Sequence, residues 1–451
     1  MRTSLILALV LACGSPAQTQ THVAPPPTAT TAKEEAPVQD DESRVRGFIA
    51  KVVANDWDGV TALFDDTMRA ALPKDKLASV WKSIIENVGA FKTIDGVTIT
   101  AKDEGHLAVA KASFERGPLL LRVGLDAHGR VNGFFISPGD TAGAWQPPSY
   151  AKLDSFEDKR IVIGSSPALP GTLTTPKNAK GYPLVVLVHG SGPNDEDETI
   201  LALKPFKDLA FGLGSRGVAV LRYEKRTHVD VTAVRTQKEE VEDAAHAAIA
   251  FARAQADVDP KRIVLLGHSQ GGFLAPRIAK GDPNIKGLVI LAGSTRSLED
   301  SLLAQLQYMA TLQPNEPKLK NAILEAHRFK TAVESPTLKD TDAVPVPFGQ
   351  PIPGSYFLDV RGYRPEKVAA ALTIPLLVLQ GERDYQVTVA DDFPAWKTAL
   401  AHKKNATLKT YSGLNHAFST GDGPPSPADY EKPGHVDEKV IADIADFVTK
   451  L

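Results

Sequence analysis

The stretch that decides the fold runs from Lys261 to Ala279 and reads KRIVLLGHSQGGFLAPRIA. Its first part, RIVLL, is a short apolar run typical of a buried strand, and GFLAPRIA has the spacing of a helix. Between them lies GHSQG, residues 267–271, which fits the G-x-S-x-G pattern of a nucleophilic serine, Ser269, on a strained strand-to-helix turn. Glycines are required at the flanking positions because a Cβ there would meet the strand or the helix. The alternative, an incidental serine in a glycine-rich connection, does not require this context.

Beyond residue 152 the chain alternates between strand-like and helical segments. The strand-like segments read KRIVIG, ALPGTLTTP, PLVVLVHG, VAVLRYE, RIVLLGHS, GLVILAGS, PLLVLQGE and ATLKTYS. Short apolar strands separated by helices predict an α/β domain over residues 153–451, with a mostly parallel sheet and helices on both faces. Residues 296–371 interrupt this alternation between two strands. We expect this insertion to form a helical cap over the edge of the sheet where ligands bind.

A serine hydroxyl needs a base, and the base needs an acid that holds its tautomer. After Ser269 the strand LLVLQ ends in GERD, residues 381–384, which places Asp384 on the loop after a core strand. We interpret Asp384 as the acid. Glu382, which is closer to the end of the strand, is the alternative.

Three histidines follow the predicted acid and could serve as the base. His402 lies in the charged segment AHKKN, and His435 lies at the start of the last helix. His416, in YSGLNHAF, follows a strand within a glycine-containing loop, where a base would have to lie. We therefore predict His416 as the base, in the chain order serine, acid, histidine.

The oxyanion of an acyl-transfer reaction needs backbone N–H groups directed at it. One donor is expected from Gln270, the residue after the nucleophile. The other is expected from HGSGP, residues 189–193, which follows the strand LVVLV. We assign Ser191 as this second donor, with Gly190 as the alternative.

The N-terminal part of the chain differs from the rest. Residues 1–12 contain one early arginine and an apolar run of the length of a secretory signal, and LAC before Gly14 resembles a bacterial lipobox, with Cys13 as the lipidated residue. Residues 13–42 are rich in Pro, Thr and Ala and predict a disordered tether. We expect an exported bacterial lipoprotein that a lipid anchor holds on the periplasmic side of the cell envelope, at the outer membrane. A signal cleaved elsewhere, with Cys13 incidental, is the alternative.

Residues 43–138 read as helices followed by four extended segments, which predicts a small α+β domain. This domain resembles the cystatin- or NTF2-like domain found ahead of some bacterial hydrolases, and a structural or spacer role is expected. A Pro/Gly-rich linker follows over residues 139–152.

The net charge of −3 gives no basic surface, so we expect no nucleic-acid partner. The segment LRYEKRT, residues 221–227, could hold an acidic substrate group, but charged residues after a strand are more typical of ion pairs. The acidic run NDEDE, residues 194–198, lacks the spacing of a calcium loop. We predict it to be a solvated approach to a helix.

The segments HGSGPNDEDETI, KPFKDLAFGLGSRGVAVLRYEKRT and GHSQGGFLAPRIA together resemble the bacterial α/β-hydrolase family of two-domain carboxylesterases. The resemblance covers about residues 184–302 and resumes at the Asp384 and His416 loops, with a departure at LALKPF. It implies an α/β-hydrolase fold, a Ser269–His416–Asp384 triad, hydrolysis of short-to-medium acyl esters, and neither a metal nor a cofactor. A peptidase, thioesterase or acyltransferase with the same triad is the alternative, followed by a non-catalytic binding lipoprotein.

Overall fold

The computed structural model of the protein describes residues 38–102, 105–138, 145–230, 234–347, 349 and 351–451. The predicted signal peptide, Cys13 and the tether up to residue 37 lie outside the described residues. The chain forms two compact units, which divide between residues 144 and 145. In the described part of the chain, no helix has the length and apolarity needed to cross a membrane.

Within the described residues, the N-terminal unit packs four helices against an antiparallel sheet of four strands. The helices are α1 (Val38–Val53), α2 (Trp57–Ala62), α3 (Asp66–Ala71) and α4 (Lys74–Val88), and the strands are β1 (Phe91–Lys102), β2 (Gly105–Phe114), β3 (Gly117–Leu125) and β4 (Val131–Pro138). The strands pair in chain order. Every second residue of β2 is buried from Ala108 to Phe114, which is the period of a strand with one face on the core. This is the small α+β domain that the sequence predicts.

Helix α1 begins at Val38, within the segment predicted to be a tether. Asp41 Oδ2 lies 2.7 Å from His106 Nδ1 on β2, and Glu42 Oε1 lies 2.8 Å from Arg46 Nε one turn along the helix. Acidic residues in the first turn of a helix also interact favourably with its dipole. The tether prediction is therefore wrong for residues 38–42, because these acidic residues belong to the first helix.

The C-terminal unit is built on an eight-stranded sheet. Its strands are β5 (Phe156–Ile163), β6 (Leu169–Pro176), β7 (Tyr182–Val188), β8 (Ala219–Tyr223), β9 (Val258–His268), β10 (Gly287–Leu291), β13 (Leu376–Gly381) and β14 (Ala406–Tyr411); a short hairpin, β11 (Ala343–Val344) and β12 (Ile352–Pro353), lies outside this sheet. The order across the sheet is β14-β13-β10-β9-β7-β8-β6-β5. Neighbouring strands from β8 to β14 are parallel, and β6 runs antiparallel to β8 and β5. Each predicted strand contributes one strand to this sheet.

Helices cover both faces of this sheet. The helices described in this unit are α5 (Pro205–Gly214), α6 (Arg226–Val229), α7 (Asp243–Arg253), α8 (Gln270–Gly281), α9 (Leu298–Leu312), α10 (Pro317–Glu334), α11 (Gly354–Leu358), α12 (Pro365–Ala371), α13 (Phe393–Leu400) and α14 (Glu438–Thr449). Helices α7, α8, α12 and α13 share one core with the sheet, and α5 and α14 share the other. Every residue of β7 is buried, as a strand covered on both faces requires.

The insertion between β10 and β13 contains α9, α10, the β11–β12 hairpin and α11. Helices α9 and α10 pack against each other. The predicted apolar stripe on α9 is buried at Leu302, Leu306 and Met309. Helix α12, at the end of the predicted cap, instead packs in the helix layer of the sheet, where Ala369 belongs to the same core as Leu274. The parallel connection from β10 to β13 needs such a crossover helix, so the cap ends before residue 365.

Candidate active site

Ser269 lies at the turn between β9, which ends at His268, and α8, which begins at Gln270. Its backbone angles are φ 53° and ψ −114°, a conformation that non-glycine residues rarely adopt. The Ser269 N–H donates to Leu291 O at 3.0 Å, and Ser269 O accepts from Phe273 N at 2.9 Å. This is the strained strand-to-helix turn that the G-x-S-x-G pattern predicts.

The glycines on either side of Ser269 are required by close backbone contacts. A Cβ on Gly267 would lie 2.2 Å from Gly271 O, and a Cβ on Gly271 would lie 2.2 Å from Val188 O at the end of β7. Both distances are far below a van der Waals contact. Glycine at these two positions therefore allows the turn to close against the strand and the helix, as the sequence analysis expects.

Asp384 and His416 come together on the loops after β13 and β14. Asp384 Oδ2 lies 2.7 Å from His416 Nδ1, and both side chains are buried. The other carboxylate oxygen of Asp384 accepts hydrogen bonds from the Gln386 and Val387 amides at 2.8 and 3.0 Å. Gln380 Nε2 donates to Asp384 Oδ2 at 3.0 Å. The carboxylate is thus held by four donors.

This pairing determines which nitrogen of His416 can act as a base. A carboxylate only accepts hydrogen bonds, so His416 Nδ1 carries the hydrogen that faces Asp384. The lone pair of the neutral ring is therefore on Nε2. The loop itself is fixed by Asn415, whose Oδ1 accepts from the Ala417 amide at 3.0 Å.

Two contacts bring the serine turn and the His416 loop together. The His268 ring, adjacent to Ser269, lies 4.7 Å from the His416 ring between centroids. His268 Nε2 donates to the His416 backbone oxygen at 2.9 Å. Gly190, on the loop after β7, also approaches the serine, since a Cβ there would lie 3.0 Å from Ser269 Cβ. The predicted nucleophile, base loop and oxyanion loop thus meet at the carboxyl ends of the strands.

The two alternatives for the second oxyanion donor differ in their hydrogen bonds. The Gly190 N–H donates to Glu198 Oε1 at 2.5 Å, so this amide is already engaged. The Gly190 oxygen accepts from Lys225 Nζ at 2.7 Å and from Asn194 Nδ2 at 3.1 Å. Ser191 is the next residue on this loop. Gln270 is the first residue of α8, where backbone N–H groups have no partner within the helix.

A second buried acid–histidine pair, which sequence reasoning missed, lies beside Ser269. Glu198 Oε2 lies 2.9 Å from His268 Nδ1, and both side chains are almost fully buried. Burial alone would raise the pKa of Glu198, but the charge of His268 and the Gly190 N–H bring it below its ordinary value. Burial alone would lower the pKa of His268, but Glu198 and the His416 carbonyl raise it above its ordinary value. Both pKa shifts favour the charged forms of the two groups.

The remaining acid and base candidates lie in other surroundings. Glu382 is exposed and accepts from Thr410 Oγ1 at 2.7 Å, and His402 is exposed. His435 Nδ1 lies 3.0 Å from Asp208 Oδ1, near the start of α14. These residues are not part of the Asp384–His416 arrangement.

Charged residues in and after β8, and in the segment after β7, form buried ion pairs. Arg222 Nη2 lies 2.8 Å from Asp158 Oδ2, and Lys225 Nζ lies 3.0 Å from Glu240 Oε1, so the ion-pair prediction for LRYEKRT is confirmed at these positions. The prediction of a solvated acidic run is wrong for Asp197 and Glu198, which are buried. Asp197 pairs with Arg222, and Glu198 pairs with His268, and these partners offset the cost of burying the charges.

Nothing in the described part of the chain suggests a metal centre: these residues include no group of three or more His, Cys, Asp or Glu side chains that could hold an ion.

Residues 185–431 match the family described as "Alpha/beta hydrolase family", and residues 46–134 match "Protein of unknown function (DUF3887)". The chain belongs to the alpha/beta hydrolase family. This alpha/beta hydrolase is 35% identical over 406 residues to "Esterase EstD" of Thermotoga maritima, a match that covers 89% of the chain and 94% of that protein. One of the two family matches lies in each of the two units of the chain.

Solved structures of esterases are also similar to this alpha/beta hydrolase. Est1E from Butyrivibrio proteoclasticus is 20% identical, with a TM-score of 0.43, and the match covers 64% of this chain and 98% of that chain. The Pyrococcus furiosus esterase PF2001 is 16% identical, with a TM-score of 0.43, and the match covers 70% and 97% of the two chains.

Proposed function

We propose that the protein is a serine carboxylesterase that hydrolyses short-to-medium acyl esters through Ser269, His416 and Asp384. The observation that carries the proposal is the 2.7 Å contact between Asp384 and His416 on loops that meet a strained G-x-S-x-G serine. The curated relative named as an esterase, at 35% identity over 89% of the chain, supports an ester as the substrate.

In the acylation step, Ser269 Oγ attacks the ester carbonyl while His416 Nε2 accepts the hydroxyl proton. The tetrahedral intermediate collapses when the same nitrogen gives this proton to the leaving alcohol. In the second half of the reaction, His416 activates a water molecule that releases the acid from the acyl-enzyme. Asp384 remains ionised, orients the ring and stabilises the imidazolium that forms in both halves.

The negative charge on the tetrahedral oxygen is stabilised by two backbone N–H groups in the proposed mechanism. Gln270 supplies one from the N-terminus of α8, where the helix dipole also favours an anion. Ser191 supplies the other, since the Gly190 amide is bonded to Glu198.

Replacing Ser269 with alanine tests the proposal. Without the nucleophile no acyl-enzyme forms, so we expect the kcat for a short p-nitrophenyl ester to fall by about 10⁴-fold or more. The control is Ser165→Ala, an exposed serine between β5 and β6, which is expected to keep wild-type activity. A fluorophosphonate probe should label Ser269 in the wild type and in the control. Wild-type turnover by Ser269→Ala would contradict the proposal.

The same triad could serve a peptidase, a thioesterase or an acyltransferase, because substrate choice depends on the pocket and the cap. Turnover of a matched set of esters, amino-acid amides and thioesters, with and without an acceptor alcohol, separates these activities. The non-catalytic binding lipoprotein would leave Ser269 unlabelled by the probe.

Anchoring at Cys13 on the periplasmic side of the outer membrane is a further part of the proposal, and it rests on the lipobox-like sequence alone. Mass spectrometry of the mature N-terminal peptide tests it, since a diacylglyceryl-modified Cys13 is expected as the first residue.

A further inference from the structure

Lys225, in the loop after β8, has a fully buried ammonium group beside the catalytic loops; its side chain is 2% exposed. Nζ lies 2.7 Å from Gly190 O, 3.0 Å from Gln270 Oε1 and 3.0 Å from Glu240 Oε1. These three acceptors come from three separate segments of the chain. One acceptor belongs to Gln270 and another to Gly190, which immediately precedes Ser191. Gln270 and Ser191 are the residues proposed to stabilise the oxyanion.

The ammonium group has no hydrogen left for a substrate. It carries three hydrogens, and each of its three acceptors takes one. An acidic substrate group, one of the two interpretations of LRYEKRT, would have to displace a protein partner from a buried cation. Lys225 therefore acts on the protein rather than on the substrate.

Its bond to Gly190 fixes the direction of the next amide. Gly190 C=O and Ser191 N–H belong to one planar trans peptide unit, so the two bonds point in opposite directions. A carbonyl held by Lys225 and by Asn194 Nδ2 leaves the Ser191 N–H directed away from both. Glu198 Oε1 holds the preceding amide, that of Gly190, at 2.5 Å. The peptide that carries the proposed donor is thus held from both sides.

The side chain of Gln270 is held in the same cluster. Its Oε1 accepts from Lys225, and its Nε2 donates to the Tyr356 hydroxyl at 2.8 Å. Tyr356 in turn donates to Glu240 Oε2 at 2.5 Å. Because Tyr356 lies on α11, within the cap insertion, this cluster joins the cap to both proposed oxyanion donors.

We propose that Lys225 is a positioning residue that sets the geometry of the oxyanion hole, and that Glu240 and Tyr356 connect this geometry to the seating of the cap. The inference rests on the proposed function, since an oxyanion hole matters only in acyl transfer. Burial alone would raise the pKa of Glu240, but the charge of Lys225 and the Tyr356 hydroxyl bring it below its ordinary value, which supports an ionic pair at this position.

The main test is Lys225→Met, which keeps most of the aliphatic stem and removes the ammonium group. The kcat for a short p-nitrophenyl ester is expected to fall by about 10- to 100-fold, the cost of misplacing a donor rather than removing it. The inhibition constant of an alkyl trifluoromethyl ketone should rise by a similar factor, because its adduct with Ser269 places an oxyanion in the hole. KM should change much less, since the hole binds the transition state more strongly than the substrate.

The double variant Lys225→Met/Glu240→Gln separates positioning from stability. Lys225→Met leaves Glu240 buried without its cation and should lower the melting temperature, and the added change removes that unpaired charge. Under the proposal, the melting temperature rises again while kcat and ketone affinity stay low. Recovery of kcat together with the melting temperature would overturn it.

Tyr356→Phe tests the same cluster where Lys225→Met does not fold. It removes one hydroxyl from the cap and should lower kcat and ketone affinity in the same direction, by a smaller factor than Lys225→Met. Unchanged ketone affinity in a folded Lys225→Met, or in Tyr356→Phe where Lys225→Met does not fold, would refute the inference. The proposed function is tested separately, by probe labelling of Ser269 and by the loss of activity in Ser269→Ala. If both of these results are as expected, unchanged ketone affinity refutes only the role of Lys225 and does not contradict the esterase function.

Discussion

Two buried acid–histidine pairs lie near the Ser269 turn, and they differ in the contacts that the two ring nitrogens make. His416 Nδ1 lies 2.7 Å from Asp384 Oδ2, which leaves the lone pair of the neutral ring on Nε2. His268 Nδ1 lies 2.9 Å from Glu198 Oε2, and His268 Nε2 lies 2.9 Å from the His416 carbonyl oxygen. Both nitrogens of His268 face acceptors, which favours the protonated ring and leaves neither nitrogen available to act as a base.

The comparison shows that the residue types alone do not define a catalytic base. A base needs one nitrogen that is oriented by an acid and a second that can take a proton. A ring with both nitrogens engaged can only connect the segments that it contacts. In this protein His268 joins the Glu198 loop to the His416 loop, so the pair supports the proposed base without replacing it.

The largest effect is expected from Asp384→Asn, which keeps the shape of the acid but reverses its preference for the His416 tautomer. We expect kcat to fall by about 10³- to 10⁴-fold, the scale of this change in serine proteases. The measurement is the steady-state hydrolysis of a p-nitrophenyl ester, with circular dichroism to confirm the fold. Glu382→Gln is the matched control, because this exposed carboxylate lies on the same loop, and it should keep wild-type kcat. A loss of kcat in Glu382→Gln together with wild-type kcat in Asp384→Asn would assign Glu382 as the acid instead.

An intermediate effect is expected from the double variant Glu198→Gln/His268→Asn, which replaces the ionic pair with neutral side chains. The connection to the His416 loop loosens, and we expect kcat to fall by about tenfold, the scale of a small misplacement of the base. The stability difference from the wild type should also depend on pH.

The direction of this pH dependence follows from the two pKa shifts. The lowered pKa of Glu198 gives a contribution that is complete above about pH 4.5 and is lost as the pH falls through the folded-state pKa. The raised pKa of His268 gives a contribution that is complete below about pH 6.5 and is lost as the pH rises through the folded-state pKa. The free energy of unfolding of the wild type, relative to the variant, should therefore be greatest between these values. A difference that does not change with pH, measured by urea titration, would show that the pair is not ionic.

The smallest effect is expected from His435→Gln. His435 is one-third exposed and lies 3.0 Å from Asp208, which also accepts from Trp145 Nε1 and from the Val436 amide. Removing one of three partners should lower the free energy of unfolding by about 1 kcal/mol and leave kcat unchanged. Thermal unfolding and esterase assays check both values. A large loss of kcat would mean that this third pair takes part in the chemistry.

The sequence allowed the strands and the Asp384–His416 pair to be predicted because both depend on local patterns. Each strand of the large sheet is a short apolar run between turn residues, and the order of serine, acid and histidine follows the order of the strands. The glycines of GHSQG are likewise explained by contacts within a few residues and with β7.

The surroundings of Ser269 could not be predicted in the same way. Whether Glu198 is solvated depends on His268 and Gly190, and whether Lys225 binds a ligand depends on Gln270, Glu240 and Tyr356. These residues are distant in the chain and show no spacing that links them. Only the packed structure decides which charges are paired, so the prediction of a solvated acidic run is wrong at Asp197 and Glu198.

The position of β14 at one edge of the sheet has a consequence for synthesis. His416 follows this strand, which lies beside β13 at the edge of the sheet, so the proposed base comes after the serine and the acid in chain order. A polypeptide that has emerged from the ribosome only as far as Ser269 lacks the acid loop and the base loop, which follow β13 and β14. The proposed triad can therefore form only after the chain has been synthesised beyond His416 and β14 has joined the sheet.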